Sequence, residues 1–200
     1  INIDYDLFAY RMNKQRDFNI GNYLPDNTKQ SESINRLTGN PNYMIQSLKA
    51  DIDLPTKFAK YTLGVKGAFV HNKVQNVTMS LQNQVYVNDT AGTNAFDYEE
   101  QTQAAYIQAS KGWKQLSIQI GVRVEHTFIK GISTTMDRTD IQDYTKLFPS
   151  CMFEYQMNDK NTFNFTANRR IRRPDYSNLN PFRFYYTESS FSEGNPALQP

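Results

Sequence analysis

The chain lacks any run of about 18 consecutive apolar residues, which excludes a transmembrane helix. A membrane barrel is not excluded, because its strands need only alternate in polarity. Cysteine is nearly absent. Cys151 stands alone, so there is no internal disulfide scaffold, and a lone thiol among apolar neighbours reads as a small core or lipid-facing residue before it reads as a nucleophile. Histidine is almost as scarce: His71 and His126 lie on different predicted strands near their outer ends and have no Cys at metal-ligand spacing, so no metal site is expected. An excess of one charge is lacking too, since 22 Lys and Arg against 20 Asp and Glu leave +2, too little for a nucleic-acid footprint. No Gly-rich phosphate loop, Ser/His/Asp order or close carboxylate pair on adjoining strands stands out, and the expectation is a protein that is not an enzyme and carries no cofactor. The chain begins at Ile1 without an initiator Met or a leader and stops at Pro200, and it reads as an excised piece of something longer.

What is present favours strands. Tyr and Phe number 13 each, Asn, Gln and Thr are abundant, and only 38% of the residues are hydrophobic, with a mean hydropathy of −0.69. That aromatic, uncharged-polar mixture suits a pleated surface better than a helix. The clearest segment runs from Trp113 to Phe128, where Leu116, Ile118, Ile120, Val122 and Val124 alternate with Gln115, Ser117, Gln119, Gly121, Arg123 and Glu125. A helix would scatter those apolar residues around its circumference, whereas a strand puts them on one face. The pattern recurs at Tyr61, Leu63, Val65, Gly67 and Phe69, at Phe153, Tyr155 and Met157, and at Phe163, Phe165 and Ala167. Further strands are expected over residues 1–12 and 43–54. Residues 95–110 look extended, but their mixed phase leaves their faces unassigned.

The connections alternate in length. Short polar turns at Pro55-Thr56-Lys57, Ser110-Lys111-Gly112 and Asn158-Asp159-Lys160-Asn161 alternate with long polar loops near 13–42, 72–94, 130–142 and 172–200. Transmembrane barrels have this arrangement, with short turns on the periplasmic side and long loops outside. The expected fold is therefore all-β, an antiparallel up-and-down transmembrane β-barrel segment, with about seven strands of a larger barrel and residues 1–200 as part of one barrel domain. The apolar faces should meet lipid, while Lys66, Arg123, Glu125 and Gln119 should face a wet interior. Tyr10, Tyr43, Phe58, Trp113, Phe128 and Tyr144, near predicted strand ends, should settle at headgroup level. A soluble sandwich, its apolar strand faces packed on each other, stays open as an alternative.

The last strand is followed by Asn168-Arg169-Arg170-Ile171-Arg172-Arg173-Pro174-Asp175-Tyr176-Ser177-Asn178-Leu179-Asn180-Pro181-Phe182, and later by Glu193-Gly194-Asn195-Pro196-Ala197-Leu198-Gln199-Pro200. This arginine-rich lead-in, with P-x-Y-x-x-L-N-P-F and then G-N-P-x-L-x-P, resembles a segment in the barrels of Bacteroidota TonB-dependent receptor-like outer-membrane proteins. Ser47-Leu48-Lys49-Ala50-Asp51, Gly64-Val65-Lys66, Ala104-Ala105-Tyr106, Gly121-Val122-Arg123-Val124-Glu125 and Leu147-Phe148-Pro149-Ser150 are similar to that family in the same order. The resemblance covers most of the chain from residue 43 onward, whereas residues 13–42 match no recognised pattern and Gln199 stands where the family often has Lys or Glu. It implies a barrel of roughly twenty-two strands in the outer membrane of a Gram-negative cell, enclosing an N-terminal plug and importing a ligand with energy passed on by TonB. The implied partners are outer-membrane lipid and lipopolysaccharide, the TonB complex through an N-terminal region outside this sequence, and an unidentified imported ligand.

On its own chemistry the motif shapes a loop. Pro174 ends ladder donation, and Asn180-Pro181 and Gly194-Asn195-Pro196 are turn formers. Arg170, Pro174, Leu179, Asn180, Pro181, Phe182, Gly194, Asn195 and Pro196 are accordingly expected to be architectural, while Arg172, Arg173, Tyr176 and Tyr185 are the candidates for touching an incoming ligand. The arginine run from Arg169 to Arg173 is expected to meet lipopolysaccharide phosphates or acidic loop residues, not nucleic acid. Asp137, Asp140 and Asp143 lack the spacing of an EF-hand and read as a solvated acidic loop. Besides a receptor that imports a ligand, a non-transporting structural or adhesive outer-membrane barrel fits the same pattern, and no loop names the ligand.

Overall fold

The computed structural model describes residues 1–187 and 190–200, with side chains throughout except at Ala91 and residues 184–187. Its elements in order are β1 (Asn2–Arg11), β2 (Lys14–Tyr23), β3 (Lys29–Gly39), β4 (Asn42–Pro55), β5 (Lys60–Gln82), β6 (Val85–Gly112), β7 (Leu116–Ser133), β8 (Arg138–Asn158), β9 (Asn161–Asn168), α1 (Tyr176–Leu179), β10 (Arg183–Thr187) and β11 (Ser190–Glu193). The main sheet of the described residues has nine strands, of which seven lie side by side in the order β1-β4-β5-β6-β7-β8-β9, every pair antiparallel, in the up-and-down arrangement that the sequence predicts; β2 and β3, which it does not predict, pair off this path. Among the described residues this path is open, ending at β1 and β9.

The short turns are set by local chemistry. Thr56 Oγ1 accepts the N–H groups of Phe58 and Ala59 at 3.3 and 3.2 Å, and Asn158 Oδ1 accepts those of Lys160 and Asn161, both at 2.9 Å. At the opposite end the hairpins run long. β5 has 23 residues and β6 has 28, against the roughly 9–11 that cross a bilayer.

That length corrects the loop boundaries. Residues 72–94 are mostly ladder, closing in a tight turn where Asn83 and Gln84 take φ of 49° and 65°, and residues 130–142 extend β7 and β8 to a turn after Ser133. Residues 13–42 are not a loop but the β2–β3 hairpin, and β3 pairs with β5 over Asn35–Gly39. The hairpin is secured by Arg36, whose Nε and Nη2 donate to the Asp17 carboxylate at 2.7 and 2.9 Å while its guanidinium lies 4.2 Å from the centre of the Tyr86 ring. Those hydrogen bonds hold the Asp17 carboxyl below the usual carboxylate range. Residues 172–200 contain α1 and the β10–β11 pair. Polar composition signalled loops here, but a hairpin standing in water has no need of apolar side chains.

The register sorts the side chains into two faces. Ile3, Ala50, Val65, Ala105, Val124 and Leu147 form one row across β1, β4, β5, β6, β7 and β8. Two residues nearer the short turns lie Ile52, Leu63, Ile107, Val122 and Pro149, and then Leu54, Tyr61, Ala109, Ile120, Cys151 and Ala167. The band closes with Ile118, Phe153 and Phe165, and with Leu116, Tyr155 and Phe163. Along β7 it runs from Leu116 to Val124, the length a tilted membrane strand needs. The intervening positions carry Lys49, Lys66, Ala104, Glu125 and Lys146 in one row and Asp51, Gly64, Tyr106, Arg123 and Phe148 in the next. Pairing thus resolves the mixed phase of residues 95–110: Ala105, Ile107 and Ala109 belong to the apolar face, and Ala104 on the other side blurred the alternation.

No second sheet covers the apolar side among the described residues, where Val65 is 57% and Ile120 54% exposed, so these residues do not pack on each other as a sandwich. Three aromatic assignments need correction. Phe128 shares an outer row with Phe69, and Phe58 and Trp113 are exposed at the short-turn end, but Tyr10, Tyr43 and Tyr144 sit on the polar face. Closeness to a strand end does not choose the face; parity along the strand does.

An apolar face of this extent needs hydrocarbon against it. Replacing Ile107, near its middle, with Arg should cost about 2–4 kcal/mol when the full-length protein folds into phospholipid vesicles, read by urea titration. Gln108→Arg, one residue along and on the polar face, should leave the titration midpoint nearly unchanged. Equal costs at the two positions would mean that the faces are wrongly assigned.

Candidate functional site

The polar face is covered at its outer half by the chain that follows β9. The ladder stops at Asn168, where the Arg169 N–H donates to the Pro149 carbonyl at 3.1 Å, and Pro174 can donate nothing further. Residues 169–182 then turn across the polar face as a strap. Its apolar foot is Leu179, 4% exposed and packed with Phe96, Tyr98 and Ile129 on β6 and β7. Beside it, Tyr176 makes a hydroxyl–hydroxyl hydrogen bond of 2.6 Å with Tyr43, its ring 5.7 Å from that of Tyr43 and 6.4 Å from that of Tyr98. Burial above all, and then the bond with Tyr43, pushes the Tyr176 phenol well above its ordinary value.

Charge fixes the other end of the strap. Arg173 donates to Glu125 and, at 3.0 Å, to Thr127 Oγ1, and its Nε lies 3.4 Å from Glu100. Glu125 is buried and also meets Arg123 at 3.4 Å. Two carboxylates held out of water need a cation between them, and a guanidinium offers donors to both. Below, Asp51 accepts from Lys49 and Tyr106. Between the strap and the sheet remains a hollow of about 710 Å³, lined by Lys49, Lys66, Tyr106, Arg123, Arg169 and Arg170 together with Glu100 and Glu125.

The two halves of the family motif bind each other. The Gly194 N–H donates to the Asn180 carbonyl at 2.9 Å and the Asn195 N–H to the Asn178 carbonyl at 2.7 Å, while Asn180 Oδ1 accepts the Phe182 N–H at 3.1 Å. A Cβ on Gly194 would run into the backbone carbonyl oxygens of Asn180 and Asn178, so glycine is required by close approach rather than by a positive φ. The tail is tied to β8: Gln142 Nε2 donates to the carbonyls of Pro196 and Leu198 at 2.9 and 3.0 Å, and Lys146 Nζ to that of Pro200 at 2.9 Å.

Of the four candidate ligand contacts, Arg173 and Tyr176 are brought together on the polar face, but both are occupied by structural partners. Arg172 is exposed and has no ion pair among the described residues, and the side chain of Tyr185 lies outside them. Of the arginine run only Arg173 meets acidic residues among the described residues, and these belong to strands β6 and β7 rather than to the loops expected, because the strap folds inward; Arg170 Nε donates instead to Asn168 Oδ1 at 3.0 Å. Asp137, Asp140 and Asp143 do not converge: Asp140 accepts from Arg138 at 2.8 Å, and Asp143 lies on the opposite face of β8, 3.5 Å from His126. The Lys49–Asp51–Tyr106 network was missed, although period-two spacing already puts Lys49 and Asp51 on one face.

A sequence family described as "Outer membrane protein beta-barrel family" matches residues 1–200. In structure the chain is similar to the ferric citrate transporter FecA in its unliganded form, with a TM-score of 0.51 at 13% identity over 83% of this chain. At that identity the likeness is one of fold. The chain spans 24% of the FecA chain, about a quarter of its length. No curated protein matches it in sequence.

Arg173→Met leaves Glu100 without its cation and Glu125 with Arg123 alone, and should cost about 3 kcal/mol locally, seen as faster tryptic cleavage within residues 169–200 of the folded full-length protein. Adding Glu125→Leu should restore part of the resistance. Gly194→Ala should loosen the same segment with no change in β-sheet content by circular dichroism; a strap that stays equally resistant in both single variants would contradict the contacts described.

Proposed function

The chain belongs to the outer membrane protein beta-barrel family, and on that premise we propose that it forms part of the wall of a TonB-dependent receptor that takes up a ligand not yet identified. Its place is the outer membrane of a Gram-negative cell. There the apolar band faces lipid, and the polar face with its strap faces the interior of the barrel.

The strap is the observation that carries the receptor reading. A barrel serving only as scaffold or adhesin has no need of an ordered segment folded back over its inner face. Here residues 169–182 leave the ladder at mid-strand and are anchored by Arg173 and Leu179 above a hollow lined by cationic side chains. The motif that builds this strap is the part of the sequence that most resembles the TonB-dependent receptors of Bacteroidota, and the likeness to a transporter barrel agrees with it. We assign the protein binding and passage rather than catalysis, because the inner-face carboxylates Asp51, Glu100 and Glu125 are engaged with neighbouring cations. Arg172 and Tyr185 are kept as ligand contacts, with residues 1–200 as part of a single barrel domain.

The reading requires a TonB-contacting segment upstream of residue 1 in the full-length protein. Purified TonB C-terminal domain should bind the full-length protein in detergent, and deletion of the upstream segment should abolish binding while the barrel keeps its heat-modifiable migration on gels. Absence of binding would turn the reading to a structural or adhesive barrel.

A further inference from the structure

We propose that His71, Asp97 and Glu99 form a binding site for a divalent transition-metal ion of the Zn²⁺ class on the outer side of the wall, above the lipid band. His71 and Glu99 are register partners on β5 and β6, and Asp97 lies two residues along β6 on the same face. One donor atom from each comes within 4.8 Å of the other two, and His71 Nε2 stands 2.7 Å from Asp97 Oδ1. Ligands around a tetrahedral zinc at roughly 2.0–2.2 Å sit about 3.4 Å apart, so side-chain rotations of the order of 1 Å complete the set. An imidazole with two carboxylates suits the borderline ions of this class, with remaining positions left to water.

The pairing here is not that of an ordinary salt-bridge patch, since the carboxylates turn to the imidazole rather than to the flanking lysines. Lys73 is the register partner of Asp97 and Lys130 that of Glu99, and both lysines share this face. Neither makes an ion pair among the described residues; Asp97 turns to His71 instead, and Glu99 converges on the same point without a salt bridge of its own. His71 lies two residues past Phe69, whose row with Phe128 is already four residues beyond the end of the apolar band at Val124, so the three side chains stand in the projecting part of the ladder, half-buried and within reach of water. The sequence offered no sign of the set, because Asp97 and Glu99 fall in the stretch whose phase is mixed.

Full-length protein in detergent, stripped with chelator and titrated with Co²⁺ and then Zn²⁺, should take up one equivalent of Co²⁺ with visible d–d absorption that Zn²⁺ displaces. His71→Ala and Glu99→Gln should each weaken binding by more than about tenfold, since loss of even an outer-shell partner costs about that much. Both variants should keep the heat-modifiable band of a folded barrel. Absence of a stoichiometric equivalent, or uptake unchanged in both folded variants, would overturn the site.

Discussion

Everything in this molecule depends on the ladder keeping its parity. A backbone group left unpaired in hydrocarbon costs several kcal/mol, so strands crossing a membrane must be hydrogen-bonded along their whole depth. Between β4 and β8 the register runs through the apolar band without interruption; the one shift in β5–β6 falls between Asn76 and Thr78, beyond that band. Once the register is fixed, so is the face of every side chain. A slip of one residue in β7 would carry Arg123 and Glu125 into lipid and Val122 and Val124 into the interior. The strict alternation of Leu116 to Glu125 is what makes such a slip costly, and the same alternation on the flanking strands fixes their registers in turn.

Parity also explains why the strap is possible. Because polar residues on five consecutive strands project to one side, that side can hold charges that would be ruinous on the other. Arg173 between Glu125 and Glu100 is an arrangement that contributes little net stability, since desolvation offsets most of the attraction. Its effect is to specify where the strap lies. Leu179 against Phe96, Tyr98 and Ile129 supplies apolar burial, and the Gly194–Asn180 contact joins the two halves of the motif into one body. An apolar foot alone could settle at several depths; a guanidinium that must reach two carboxylates and Thr127 has one solution.

Strands were legible where a local signal marks them. Alternation announced β5, β7, β8 and β9, and Thr56 and Asn158 marked the short turns. The strap's course was not legible, since its partners lie about fifty residues and more away along the chain, as with Arg173 and Glu125 or Tyr176 and Tyr43. Its contents were partly legible: Pro174, Asn180 and Gly194 announced turns, yet nothing in the spacing said that they fold inward. The hairpin of residues 13–42 was mistaken for a loop for a related reason. Its apolar signal is short: on β2 only Phe18 and Ile20 alternate with Gln15, Asp17, Asn19 and Gly21, and on β3 Ile34 and Leu37 fall on opposite faces, so no run of period two stands out. Aromatic residues misled where parity was ignored, as at Tyr43 and Tyr144.

The same constraint indicates where the molecule can change shape. Within the apolar band, opening the ladder would expose peptide groups to hydrocarbon, so the wall there behaves as a rigid body. The strap is different: it is tied by side chains and a few backbone bonds, and its polar anchors can exchange their partners for water inside the barrel. On the receptor reading, a ligand passing along the interior would therefore meet resistance from the strap rather than from the strands. The tie at Arg173 is electrostatic, so its strength depends on how dry Glu125 and Glu100 remain.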